Sequence, residues 1–273
     1  MLDKLENRVA SIILYGSIIA SLIFFYVPIV TLVVFSLKEG RYLSMPIEGW
    51  TFDWYRELFN NRDIGAALQN SAIVATSAML ASTLIGLGAA LAWVRYRFRG
   101  KTLFQAIAIG PLLFPQLLLA VIILFWFTVL SSWLGFSNGI PTAIIGHVVY
   151  LTPFATIIIA VQAAGLDPTI EQAAEDCGAN SWQVFYEVTL PLLWPGIFSA
   201  LTFSFLLSWG NFYLTYSLAG GERTLPTFVF SGIAMGSTPI YPALASVTFA
   251  IGLCLLVVAD MIRRRAAARL KMG

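Results

Sequence analysis

Few side chains in this 273-residue sequence could make or break bonds, and those few lie far apart. His147 is the sole histidine and cannot build a metal site by itself. Cys177 and Cys254 are separated widely in sequence; Cys177 reads as cytoplasmic and Cys254 as intramembrane, so no disulfide is expected. A nucleophile needs a base and an orienting partner; one histidine and a marginal Asp260 do not supply them. Nucleotide hydrolysis needs a phosphate-cradling G-x-x-x-x-G-K-[ST] run, and none occurs. The expectation is a chain with no catalytic residues, no metal and no cofactor of its own. Two other constellations remain. One is an acid-rich stretch, 167–191, with Asp167, Glu171, Glu175, Asp176 and Glu187 and no basic residue. The other is Ser208-Trp209-Gly210-Asn211-Phe212-Tyr213-Leu214-Thr215-Tyr216. There Trp209, Phe212, Tyr213 and Tyr216 recur at helical spacing, and Asn211 adds amide donors and an acceptor. Such a stretch reads either as interfacial aromatics with a packing contact, or as a pore wall that holds a cation by its aromatic faces. Gln116, beside Pro115, is a weaker candidate for an opposing wall.

The elements that position these residues follow from hydropathy. The chain is 59% hydrophobic and 11% charged, against about 25% charged for a soluble domain. A bilayer crossing takes roughly 20 apolar residues, and uncharged runs of that length recur. The sequence predicts an all-α fold, a single transmembrane domain over 1–273 with six spans at about 11–37, 67–94, 102–130, 141–166, 192–218 and 243–262. Residues 38–63 carry Trp50, Trp54 and Tyr55 and read as an external segment at headgroup depth. Residues 219–242 read as a Gly/Pro-rich loop. Gln69 and Asn70 can serve as hydrogen-bonding glue between helices. Of the sixteen Lys/Arg, eleven fall on the side that holds the N-terminus, the loops 95–101 and 167–191 and the C-terminus. The positive-inside bias makes that side cytoplasmic, both termini included. Nucleic acid is a poor partner for so small a net charge, +2, without a basic soluble segment. The intramembrane ionisable residues that mark ion-driven carriers are nearly absent. His147 reads as a helix-packing residue and Asp260 as an interfacial anchor.

The acid-rich stretch folds, on local rules, into a helix-turn-helix. Asp167 can cap a helix with Pro168 at its first position. Gly178 suits its end, since glycine takes the left-handed conformation readily. Asn180 and Gln183 have capping-box spacing for a second short helix, with Trp182, Phe185 and Val188 on one face and Leu190-Pro191 as its stop. A connector lying on the bilayer is one reading. However, interfacial helices favour basic residues, and acidic ones are repelled by anionic lipid. A protein partner with a basic groove fits better.

The pattern Gln172-Ala173-Ala174, three residues, Gly178, nine residues, Val188-Thr189-Leu190-Pro191 resembles the "EAA" motif of ABC importer permeases: Glu-Ala-Ala, three residues, Gly, nine residues, Ile, one residue, Leu-Pro. The six-span layout, the loop Arg95-Tyr96-Arg97-Phe98-Arg99-Gly100-Lys101 and the external Trp54-Tyr55 are similar to the spermidine/putrescine-type permeases. The resemblance implies a type I importer fold in the bacterial inner membrane. It also implies ABC ATPase subunits that bind ATP and Mg, a second homologous permease in a heterodimer, and a periplasmic solute-binding protein. Carried onto this chain, Gln172, Ala173, Ala174 and Gly178 dock on the ATPase, with Leu190 and Pro191 anchoring the exit. Gln172 replaces the motif's leading Glu, so Glu171, Glu175 or Asp176 would supply the carboxylate, although a one-residue offset turns a side chain about 100° around a helix. Similar polyamine permeases carry acidic residues where this chain has Gly210-Asn211. The solute is accordingly expected to be a polyamine, another amine, or an amino-acid- or opine-like compound. An ion-gradient-driven secondary transporter is the alternative.

Overall fold

The computed structural model describes residues 2–135, 137–236 and 238–254, and the side chains from residue 11 apart from Leu134. Asp260, the closing basic cluster and the end of the expected sixth span lie outside them. The described residues form helices joined by turns and by a longer irregular segment, 37–52, which holds one isolated antiparallel bridge, Lys38–Trp50. Among the described residues, five helical stretches are long and apolar enough to cross a bilayer: Ser11–Ser36, Arg62–Arg95, Gln116–Trp133, Ile140–Ala164 and Ser181–Trp209. The chain divides into two units, Met1–Ile64 with Val229–Gly273, and Gly65–Phe228.

In the first unit, α1 (Leu2–Ser36) presents apolar side chains all round; Phe24 is 75% exposed. Water would not tolerate such a surface, whereas lipid matches it. The segment after it folds back onto the helix end. Tyr55 Oη and Ser36 Oγ are 2.6 Å apart, and Trp54 Nε1 donates to the Lys38 carbonyl at 2.9 Å. Short helix α2 (Asp53–Asn60) results, with Trp50 left exposed.

The second unit is built around α6 (Ile140–Ala164), which buries eleven of its residues. Towards one end, α5 (Gln116–Leu134) and α10 (Tyr213–Leu218) close a core with it through Leu119, Ile123, Phe127, Ala143, Leu214 and Leu218. Towards the other, Ala155, Ile159 and Ala163 pack against Leu193, Ile197 and Ala200 of α9 (Leu190–Trp209). Small residues permit the close approach, as membrane helices require. A Cβ on Gly196 would lie 2.7 Å from the Gln162 Cβ. A Cβ on Gly86 of α3 (Arg62–Arg95) would lie 2.8 Å from the Ala155 Cβ and 2.9 Å from the Thr156 amide nitrogen.

The uncharged runs do not fold as the unbroken helices expected. The run from 102 forms α4 (Lys101–Ile109), a 3₁₀ turn Gly110–Leu113 and extended Phe114 before α5 starts. Pro115 is the cause: its ring forces the preceding residue out of helical geometry, and Phe114 has ψ 134°. The run over 192–218 breaks at Gly210-Asn211, between α9 and α10. Conversely, Leu190-Pro191 stops nothing. Helix α8 (Ser181–Gln183) continues through a wide π-turn, Val184–Thr189, directly into α9. There the Leu190 N–H reaches the Phe185 carbonyl, five residues back. This wider turn moves aside the carbonyls that the Pro191 ring would strike. The expected loop 219–242 contains α11 (Leu225–Ala234), whose Pro226 sits in the first turn, where the missing N–H does no harm. Apolar helix α12 (Ile240–Cys254) follows.

Replacing Gly86 by Ala should overpack the α3–α6 contact and destabilise the protein by about 1–3 kcal/mol. Gly88, where a Cβ meets nothing within 4 Å, should accept Ala without loss. Thermal unfolding of the two variants in detergent checks the difference.

Candidate functional site

The elbow between α6 and α9 is assembled by local hydrogen bonds at each helix end. Asp167 Oδ1 accepts the Thr169 N–H at 2.9 Å and starts α7 (Pro168–Asp176). That bond holds the exposed Asp167 carboxyl below its ordinary range, so the cap is ionised at neutral pH. A carboxyl lowered in the folded state stabilises it above the unfolded value and stops doing so as pH falls through the lowered one. At the other end of α7, Gly178 takes φ +91°. The Gly178 N–H donates to the Glu175 carbonyl at 2.8 Å and the Ala179 N–H to the Ala174 carbonyl at 3.1 Å, the paired bonds of a Schellman stop. Asn180 and Gln183 then exchange two bonds: the Gln183 N–H donates to Asn180 Oδ1 at 3.0 Å, and the Asn180 N–H to Gln183 Oε1 at 2.8 Å. The second helix of the elbow starts there, as the spacing predicts.

Gln172, Ala173, Glu175, Asp176 and Gly178 are exposed, and Ala174 is half-buried. Leu190 packs against the Leu193–Ile197 core, while Pro191 is exposed. Trp182 and Tyr186, 71% and 57% exposed, stack at 5.9 Å on the second helix. Glu171 turns the other way. Its Oε1 accepts from Arg95 Nη2 at 3.1 Å and from Thr189 Oγ1 at 2.9 Å. The capping signals could be read from neighbours; this contact joins residues 76 apart and has no local signature.

The aromatic stretch is split by the Gly210-Asn211 break. Phe205 and Trp209 stack at 5.6 Å at the end of α9, and Phe212 and Tyr216 stack at 5.1 Å beside α10. They therefore do not form one helical face. Tyr213 and Tyr216 are exposed, and Trp209 and Phe212 are half-buried. Asn211 is buried, and its Oδ1 accepts the Leu214 N–H at 3.1 Å. Gln116 stands half-buried in the first turn of α5, a turn before Leu119 of the α5–α10 core. His147 joins both sides of the break: Nδ1 lies 2.7 Å from Ser208 Oγ and Nε2 3.0 Å from Thr215 Oγ1. It is a packing residue with both ring nitrogens bonded.

The core unit is a bundle of bilayer-length apolar helices with a capped, acid-rich elbow between two of them. Residues 82–271 match the family "Binding-protein-dependent transport system inner membrane component", and the chain belongs to that family. It is 33% identical over 227 residues to the putrescine transport system permease protein PotI of Escherichia coli K12, covering 82% of this chain and 80% of that protein. It is 31% identical over 243 residues to the spermidine/putrescine transport system permease protein PotC of Haemophilus influenzae, covering 89% and 93%. A bacterial ABC transporter subunit from an alginate import system superposes with a TM-score of 0.73 at 19% identity, over 96% of this chain and 97% of that one, and shares the fold. The chain is thus the permease subunit of an ABC importer, an inner-membrane protein whose ATP hydrolysis resides in separate subunits. The ion-driven alternative receives no support.

Asp167→Ala or Asn180→Ala should each remove about 1 kcal/mol of cap, raising amide exchange across the affected helix about fivefold. Asp167→Asn should keep the cap and remove its loss in acid.

Proposed function

We propose that the 167–191 elbow is the handle by which an ATP-hydrolysing subunit moves this permease. The supporting observation is its construction. Caps on both helices stiffen a projecting turn that carries small residues and free carboxylates outward, with no basic residue among them. Such a surface complements a basic groove. Ala173, Ala174 and Gly178 allow close approach, and Gln172, Glu175 and Asp176 offer polar contacts. Glu171, already paired inside the chain, is not the docking carboxylate in this arrangement. Leu190, anchored in the core, ties the elbow to α9. In this reading the elbow, the N-terminus and the C-terminus face the cytoplasm. ATP and Mg are bound by the ATPase pair, a second homologous permease completes the pore as a heterodimer, and a periplasmic binding protein delivers the solute. The whole chain, 1–273, acts as one permease domain.

The solute is a small polar organic amine, polyamines included. The names of PotI and PotC point to that class. The aromatics beside the Gly210-Asn211 break, Trp209, Phe212, Tyr213 and Tyr216, supply cation-attracting faces near the end of α9, and Gln116 is the polar group proposed opposite.

Ala173→Trp tests the handle. The residue is exposed, so α7 should fold normally, yet the indole would block close docking. The ATPase subunit should be lost from the purified complex, and uptake should fall at least tenfold at normal permease level. Retention of both overturns the assignment. Mass spectrometry of the compound retained by the co-purified binding protein identifies the solute.

A further inference from the structure

The elbow is anchored in the core at Val184 and Leu190, but its first helix, α7, buries none of its own residues. One polar cluster connects it laterally to the rest of its unit. Glu171, in the first turn of α7, offers a single carboxylate oxygen to Arg95 at 3.1 Å and to Thr189 at 2.9 Å. Arg95 is the last residue of α3, and Thr189 lies in the π-turn that feeds α9. The ion pair is well shielded: the side chains are 16% and 23% exposed, and Thr189 is 6% exposed. Both charges have given up much of their hydration, so removing either member strands the other at a cost that an exposed surface pair would not show. The cluster opens on a cavity of about 230 Å³ lined by Arg95, Tyr96, Glu171, Val184 and Phe185 among others.

We propose that Arg95 and Glu171 are positioning residues that carry the displacement of the elbow into α3. This rests on the coupling role given to the elbow above. The chain already links the elbow to α6 and α9 covalently; α3 has no such link. A push on α7 reaches α3 only indirectly, through the packing of α3 on α6, unless a direct tie resists relative motion between α7 and α3. Arg95–Glu171 does so at the end of α3, where a small displacement is levered along a helix of 34 residues. Thr189 fixes the same oxygen to the π-turn, so α3, α7 and the start of α9 meet at one atom. Glu171 thereby acts inside the permease, while the exposed Glu175 and Asp176 face the partner.

Hydrogen exchange on the intact permease–ATPase complex, with and without AMP-PNP and Mg, tests this. In the unsubstituted complex the nucleotide should change exchange both at 168–177 and at 91–95. Arg95→Gln and Glu171→Gln should keep the ATPase subunit and the response at 168–177. Each should shrink the response at 91–95 at least fivefold. The double variant should be no worse than the poorer single, and Arg95→Lys should restore most of the response. Thr189→Val, which removes the hydroxyl bond to Glu171 but leaves the ion pair, should give a partial loss. An undiminished response at 91–95 in both Gln variants overturns the proposal, as does a double variant whose loss is the product of the singles. Loss of the ATPase subunit from Glu171→Gln alone overturns it too, by placing Glu171 in the docking surface. If the unsubstituted complex shows no response at 168–177, the coupling role itself fails, independently of the ion pair.

Discussion

Lipid offers no hydrogen bonds, so every backbone group freed inside the bilayer must find its partner within the protein. This constraint organises the core unit. Between α9 and α10 the helix opens at Gly210-Asn211, and Asn211 turns its amide oxygen onto the Leu214 N–H. At the end of α10, the Leu218 carbonyl accepts from Thr142 Oγ1 at 2.7 Å. The first N–H of α6, at Ile140, donates to Glu222 Oε2 at 2.7 Å, where a carboxylate also suits the positive end of the helix dipole. His147 then bridges Ser208, before the break, to Thr215, after it. The break at Gly210-Asn211 is thereby closed against α6, and the pieces on either side of it are fixed to one helix. The segment 222–225 is tied to α3 in the same way, by Asn70 Nδ2 on the Arg223 carbonyl at 3.0 Å and the Leu225 N–H on Ser71 Oγ at 2.8 Å.

Outside the hydrocarbon the same need is met differently. A nine-residue helix is marginal in water, and α7 has no buried face to help it. Its ends are stabilised by groups within its own few residues: Asp167 at the start, Gly178 at the stop, then Asn180 with Gln183 to begin the next helix. The result is a stiff turn that remains exposed. Stiffness with exposure is what a handle requires, since a surface that buries itself cannot receive a partner and a loose one cannot transmit its motion. The π-turn at Val184–Thr189 completes the arrangement by carrying the helix past Pro191 into α9 without a joint.

Sequence alone determined the features whose causes lie within a few residues or in bulk composition. The apolar surplus required a bilayer. Asp167, Gly178 and the Asn180–Gln183 pair announced their caps because donor and acceptor are at most five residues apart. The EAA-like spacing over 172–191 could be read because it resembles a known family pattern. Tertiary structure decided the rest. Pro115 ends a helical run, Pro153 sits inside α6, and Pro191 rides through a wide turn. The residue type is one; the outcome depends on whether neighbouring groups satisfy or displace the freed carbonyls. The aromatic stretch 208–216 has helical spacing, yet it breaks, because Asn211 and the His147 bridge stabilise the opened turn. Glu171 is indistinguishable from Glu175 on spacing, one turn apart, until Arg95 arrives from 76 residues away. Local rules act through hydrogen bonds within a turn of the chain, whereas these choices rest on partners that only folding brings into reach.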